Sequence, residues 1–275
     1  MKVYLTLLSN RSYLEGVLVL NNSLKRTGAK YPLYCMLSLD VDTDVCEVLN
    51  KSGIECIRLQ KKVLEGEVSS NTKQLGWDYS NWNYTFDKIM MWSLSQFEKV
   101  VFLDSDMLVV KNIDHLFECP SFTASLAGVM YPGNKGISIL NSGLIVFVPN
   151  PSIVKEMLSI AQIMIPQMQR ENKPLGDQDI INAFFPDWYN HKELILDDGY
   201  NLYAHYLQYY CRYERYAVDA SAKNKIYVIH FVGKEKPWMI NSPLRFLKMC
   251  CRMFPNIYYI VACWKYLRML SSIQK

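Results

Sequence analysis

Apolar positions along the chain fall into short dense blocks separated by stretches in which apolar and polar residues alternate at helical spacing. The blocks VYLTLLS (3–9), PLYCMLS (32–38) and ECIRL (55–59) read as strands. Between them, residues 12–27 and 43–52 carry apolar side chains three and four apart, which predicts two helices. Ser12 and Glu15 stand at capping-box spacing at the start of the first helix, and Gly28 and Gly53 close the two periodic runs. Strand and helix in strict alternation require crossover connections, so the expected fold is α/β with a mainly parallel sheet flanked by helices.

Further along, residues 60–82 are polar and rich in Gly, Ser and Asn, which predicts a loop or lid. A helix is expected over about 84–97 and a strand over 99–104. Two more strands are expected, FTASLAG (122–128) and ISILNSGLIVFVPN (137–150), the second bending or bulging at Asn141, Ser142 and Gly143. Helices from Pro151 to about Gln169 and over 177–185 follow, then a strand at ELILD (193–197). Tyr200, Tyr203, Tyr206, Tyr209, Tyr210, Tyr213 and Tyr216 recur about every three residues, as on one face of a helix. Such a stripe serves packing or contact with a second copy of the chain, a homodimer, or forms an aromatic platform for a sugar. No repeat or low-complexity linker interrupts the chain, and a boundary is placed near residue 240, giving segments 1–240 and 241–275.

The length of 275 residues with 50% hydrophobic content suits one sizeable core. Eight cysteines show no metal-ligand spacing and several lie in apolar runs, so they are read as reduced thiols of an interior compartment. The N-terminal MKVYLTLLSNRS reads as a first strand rather than a secretory leader, and no window approaches the roughly 20 apolar residues of a spanning helix. A cytoplasmic protein is therefore expected. The net charge of +4 is uneven: residues 236–275 hold seven Lys or Arg and no acid, which leaves the first 235 residues at −3. In 244–275 the basic residues interleave with six aromatics, a pattern that suits either an interfacial helix on anionic lipid or a C-terminal helix packed on the domain. Nucleic acid is disfavoured, because the aromatics come with Met, Leu and Ile rather than with a strongly basic domain.

The segment KVVFLDSDMLVV (99–110) concentrates the chemistry. An apolar strand stops at Asp104 and Asp106, and a buried carboxylate is costly without a partner. Ligands of open α/β sheets bind beyond the carboxyl ends of strands, and alternate residues of an extended segment share a side, so both carboxylates can address one hard cation such as Mg²⁺ or Mn²⁺. In IYVIHFVGKEKPW (226–238), His230 ends a second apolar strand, Gly233 permits a tight turn, and Lys236 follows. A nucleotidyltransferase would want a glycine-rich phosphate loop near the first strand, and residues 6–16 contain only Gly16.

The segments LLSNRSYLEGVLVLNNSL, FDKIMMWSLSQFEKVVFLDSDMLVVKNIDHLF, LNSGLIVF, GDQDIINAFF and HFVGKEKPW, in this order, resemble the glycogenin-like branch of the family-eight retaining glycosyltransferases, with features of the bacterial lipopolysaccharide galactosyl- and glucosyltransferases. The resemblance covers roughly residues 3–240. It implies a GT-A type nucleotide-diphosphosugar domain with Mn²⁺ or Mg²⁺ on Asp104, Asp106 and His230, and UDP-glucose or UDP-galactose as donor. It also implies that Leu7, Ser9, Asn10 and Tyr13 hold uracil and ribose, that Lys88 and Lys236 clamp phosphate, and that Ser105, Asn141, Ser142, Gly143 and Gly233 line the donor site. Asp177 and Gln178 match the pair near the anomeric carbon, and the acceptor is a glycan, lipid-linked or small-molecule hydroxyl. Two acids of glycogenin-type proteins are replaced here by Gly133 and Pro174, and Gln208 stands where the family's modified tyrosine would fall. These departures weigh against self-glucosylation, while the triplet Asp177 to Asp179 leans toward the bacterial relatives.

Overall fold

A computed structural model describes residues 1–60, 80–126, 128–219 and 221–273. The expected loop or lid over 60–82 lies almost entirely outside the described residues. The first α/β units form as the periodicity predicts: β1 (Lys2–Leu8), α1 (Leu14–Arg26), β2 (Leu33–Leu37), α2 (Thr43–Lys51) and β3 (Glu55–Arg58). Gly28 and Gly53 take left-handed φ values of 73° and 74°, a conformation that a side chain would resist, and so end the two helices. The Ser12–Glu15 box does not form. Asn10 caps instead, its side chain accepting from Ser12 N, and a 3₁₀ turn over Arg11–Tyr13 leads into α1.

The rest of the main sheet comes from β4 (Lys99–Leu103), β6 (Thr123–Ser125), β7 (Leu144–Phe147) and β8 (Ile195–Leu196), after the short β5 (Met107–Val109) has left it. Its order is β3-β2-β1-β4-β7-β6-β8, with β7 antiparallel to both neighbours and the other pairs parallel. Both faces are covered. Val3, Leu5, Val100, Phe102, Ile145 and Phe147 enter one apolar core, and Tyr4, Leu8, Val101, Leu103, Leu144 and Val146 the other. Strands buried on two sides need apolar residues at every position, which is why they read as unbroken runs. The helices α3 (Pro151–Glu171) and α4 (Asp177–Phe184) form near their expected limits.

Several expectations are corrected. The helix expected over 84–97 is a 3₁₀ helix over Ser80–Ser93, and Leu94 and Phe97 instead turn into the core. Residues 137–143 are not strand. Asn141 Oδ1 accepts from Gly143 N at 3.0 Å, and this local bond competes with sheet pairing. The tyrosine stripe is not one helix. It runs through β9 (Leu202–Tyr203), α5 (Leu207–Arg212), β10 (Tyr216–Ala217) and 3₁₀ turns, because Asp197 and Asp198 accept hydrogen bonds from the backbone and from Tyr216 and Tyr210. Most of these rings pack within the chain: Tyr200 stacks on Tyr227, Tyr206 on Tyr131, and Tyr213 alone is largely exposed.

After β11 (Asn224–Lys225) and β12 (Val228–His230), two further helices, α6 (Pro243–Met253) and α7 (Ile257–Ile273), fold back on the domain. Tyr259, Ala262, Cys263, Tyr266 and Leu270 of α7 are buried beside Val19 of α1 and Phe231. The described cysteines are all free thiols, and among the described residues no helix is long and apolar enough to cross a membrane.

Candidate active site

The chain leaves β4 at Leu103 and turns through Asp104, Ser105 and Asp106, with Met107 N donating to Asp104 O at 3.2 Å. It then enters a second sheet of order β5-β12-β9. The two aspartates therefore lie on a turn joining two sheets, not on an extended segment. They converge all the same. In this sheet His230 pairs with Met107 on one side and Tyr203 on the other, which sets its ring beside the turn. His230 Nε2 lies 3.0 Å from Asp106 Oδ1 and 3.8 Å from Asp104 Oδ2.

Two glycines permit this approach. A Cβ on Gly16 would stand 2.5 Å from the Ser105 carbonyl oxygen, so only glycine lets α1 lie against the turn. A Cβ on Gly143 would stand 2.8 Å from His230 Cε1. Gly143 O also accepts from Asp104 N at 2.9 Å, tying the Asn141–Gly143 turn to the end of β4. Gly233, at φ 100°, makes the tight turn that returns Lys236 to the cluster.

Each carboxylate has a cationic partner. Lys88 reaches Asp104 and Asp177 at 2.9 Å each, and Lys236 reaches Asp106 at 2.5 Å and the Phe231 carbonyl at 2.9 Å. Burial alone would depress both lysines, but the facing carboxylates outweigh it and hold their pKa values raised. Burial likewise pushes the carboxyl of Asp106 up, and Lys236 and His230 overcome it, leaving the group below the usual carboxylate range. For Asp104 burial wins, and its pKa is raised despite Lys88 and His230. Leaving His230 aside, three carboxylates and two ammonium groups leave one net negative charge, which a divalent cation would reverse. Asp104 is the open side of the cluster, 28% exposed against 5–11% for Lys88, Asp177 and Asp106.

The donor chemistry fits a metal ion. Ligand atoms of Asp104, Asp106 and His230 lie within 4.8 Å of one another. Asn201 Nδ2 donates to Asn141 Oδ1 at 2.5 Å, which leaves Asn201 Oδ1 to face His230 Nδ1 at 2.8 Å. The Nδ1 atom thus carries a proton, so Nε2, which faces the two carboxylates, is the nitrogen that would meet a bound metal. One imidazole nitrogen and carboxylate oxygens form a donor set suited to Mn²⁺ or Mg²⁺.

The sugar-side residues form one hydrogen-bonded group. Gln178 Oε1 accepts from Asn141 Nδ2 at 3.0 Å and from Ser142 N at 3.2 Å, while Asn141 Nδ2 also donates to Tyr203 OH at 2.7 Å. Lys88 Nζ lies 3.4 Å from Ser142 O and Oγ. Asp179, the third member of the triplet, is a helix cap: its Oδ2 accepts from Gly176 N at 2.8 Å. At the end of β1, Leu7 is buried, Ser9 half-buried and Asn10 exposed. Tyr13 meets Trp238 edge-on at 5.4 Å, with Lys236 Nζ 5.6 Å from its ring centre. The sequence pattern placed Tyr203 only within the tyrosine stripe and gave no role to Asn201 or Gly16. The available signal for Asn201 was an asparagine inside the aromatic and apolar GYNLYA, because a polar group that becomes buried there needs partners.

Three comparisons with known proteins bear on the family and the fold. Residues 4–241 match the model of the family described as Glycosyl transferase family 8. Glycogenin-1 of Caenorhabditis elegans is 30% identical over 239 residues, 86% of this chain and 51% of its own length. Glycogenin-1 of Homo sapiens is 30% identical over 243 residues, 86% of this chain and 62% of its own. The chain thus spans between about half and two thirds of these relatives. Among solved structures, the galactosyltransferase LgtC in complex with donor and acceptor sugar analogs superposes with a TM-score of 0.62 at 13% identity, covering 99% of this chain and 96% of that one. That likeness establishes the GT-A fold.

Proposed function

Since the chain belongs to glycosyl transferase family 8, we propose that it is a metal-dependent retaining hexosyltransferase that moves glucose or galactose from a UDP-sugar to a glycan, lipid-linked or small-molecule acceptor. One observation carries the reading: Asp104, Asp106 and His230 converge within 4.8 Å, with Lys88 and Lys236 against the same carboxylates. A divalent cation there, Mn²⁺ or Mg²⁺, would neutralise the donor diphosphate and stabilise departing UDP. Leu7, Ser9, Asn10 and Tyr13 take the nucleoside at the end of β1, and Ser105 and Gly233 supply backbone close to it. As the diphosphate enters past the open side of Asp104, Lys88 and Lys236 exchange part of their contact with carboxylates for phosphate oxygens.

For the transfer itself, Gln178 is a poor nucleophile, and its carbonyl oxygen already accepts two hydrogen bonds. This supports front-face attack. The bond from the anomeric carbon to the UDP oxygen breaks while the acceptor oxygen bonds on the same face, and the leaving phosphate takes the acceptor's proton. Asp177, with the Asn141–Ser142–Gly143 turn and Gln178, stabilises positive charge at the anomeric centre. Gly133, Pro174 and Gln208 argue against a glycogenin-like self-glucosylating primer.

The test is UDP release from a panel of UDP-sugars with Mn²⁺ and with EDTA, for the native protein and Asp106→Asn. Metal-dependent release that Asp106→Asn abolishes supports the reading. Tight UDP-sugar binding without turnover on any acceptor class would make the protein a silent binder, and a ladder of hexose increments in intact mass would restore the self-glucosylating alternative.

Residues 1–240 carry this chemistry in the proposal, and 241–275 serve as a basic, aromatic attachment to the cytoplasmic face of a membrane. Support comes from the outer surface of α6 and α7, where Leu244, Leu247, Ile257, Val261 and Trp264 are exposed together with the basic Arg245, Lys248, Lys265 and Arg268.

A further inference from the structure

A cavity of about 520 Å³ lies between β12, α5 and α7, and no residue of the carboxylate–histidine cluster lines it. It sits on the reverse face of the strand that carries His230: Ile229 lines it, and successive strand residues point to opposite sides. Its wall is aliphatic, formed by Val110, Leu207, Ile226, Ile229, Val261 and Ala262. The volume is in the range of small-molecule pockets, which span about 300–1,000 Å³.

Two cations complete it. Arg215 and Lys265 both line the cavity and are exposed, and neither forms an ion pair with a described residue. Arg215 holds a left-handed φ of 57°, which a long side chain adopts at a cost and which the surrounding structure must impose. At the mouth, Tyr258 and Val261 remain 41% and 43% exposed, continuous along α7 with exposed Trp264. An apolar chamber flanked by uncompensated positive charge complements a molecule with one apolar chain and one anionic head.

We infer that this cavity binds the acyl chain of an anionic membrane lipid, with the head group between Arg215 and Lys265. The inference extends the membrane-facing reading of α6 and α7 and rests on it only for the source of the lipid. Because a dissolved amphiphile can enter the cavity without a bilayer, failure of the two readings can be told apart.

The experiment is calorimetric titration of the full chain with dodecyl phosphate below its micelle concentration, beside dodecanol and inorganic phosphate. Saturable binding of one dodecyl phosphate is expected, with dodecanol weaker and phosphate alone silent. The double variant Arg215→Glu/Lys265→Glu, on the surface and expected to fold, should weaken binding by roughly tenfold or more, the scale of a lost charge-assisted contact. Ala262→Leu, which fills the chamber, should weaken it independently. Equal affinity in native and charge-reversed proteins, or no saturable binding below the micelle concentration, overturns the assignment. Binding to vesicles without binding to dodecyl phosphate leaves the membrane reading standing and removes this one.

Discussion

Asn201 Oδ1 accepts the Nδ1 proton of His230 at 2.8 Å, and the same amide donates to Asn141, which in turn holds Gln178 at 3.0 Å. A single buried asparagine thus orients a candidate metal ligand and, through one more residue, the candidate catalytic amide. Partners of this kind fix the tautomer and aim of a ligating histidine.

Asn201→Ala should therefore weaken Mn²⁺ affinity by about 10–100-fold, the usual effect of removing such a partner. Electron paramagnetic resonance of free Mn²⁺ during titration reads this without reference to turnover. Affinity unchanged within error would show that His230 is aimed by the sheet alone.

Gly16→Ala separates two opposed effects. In a helix interior the change ordinarily stabilises by about 1 kcal/mol. Here the new Cβ would stand 2.5 Å from the Ser105 carbonyl oxygen and 3.1 Å from the Trp238 ring. Overpacking of this kind costs about 1–3 kcal/mol, so net destabilisation is expected, together with weaker Mn²⁺ binding as the turn is pushed away. Urea unfolding and the same titration check both.

Asp198 gives a pH signature remote from the metal cluster. Burial is the largest influence on its carboxyl and holds its pKa raised, even though Tyr210 and Met130 donate to it. A raised folded-state pKa favours the protonated form. The contribution is full below the unfolded value of about 3.9 and is lost as pH rises through the folded value. Asp198→Asn keeps an acceptor oxygen without the charge, so it should raise the urea midpoint near neutral pH, with the gain shrinking toward about pH 4. A variant less stable than the native protein at every pH would contradict this account.

For the membrane proposal, Lys248→Glu and Arg268→Glu change exposed residues of α6 and α7. Each basic residue near an anionic surface contributes about 1 kcal/mol, so each reversal should weaken co-sedimentation with anionic vesicles by about fivefold or more. Native binding should fall as salt rises, since exposed charges are screened within about 10 Å at 0.1 M. Stability should stay within about 0.5 kcal/mol, as for surface substitutions generally. Indifference of the native chain to anionic vesicles at low salt would remove the proposal.

The sequence by itself determined the α/β class, the order of the first strands and helices, and the two aspartates that interrupt the apolar run after β4. Each of these is local or periodic. A strand buried on both faces must be apolar throughout, as in Val100 to Leu103, and charge that interrupts such a run must have a reason, as at Asp104 and Asp106. Positive-φ glycines such as Gly28 and Gly53 announce helix ends for equally local reasons.

What only the tertiary structure decided depends on contacts far apart in the chain. Asn10 rather than Ser12 caps the first turn, while the Ser12 carbonyl is left to accept from Trp238 Nε1 at 2.8 Å, a residue 226 positions away. The tyrosine spacing imitates a helix, yet the acceptors Asp197 and Asp198 break the segment into turns. Gly16 looks like an ordinary helix residue until the Ser105 turn is placed against it, and Asn201 looks like a loop polar until His230 lies beside it. Spacing along the chain encodes how a segment folds on itself. Which buried polar group completes another's hydrogen bonds is settled only when the sheets bring their ends together.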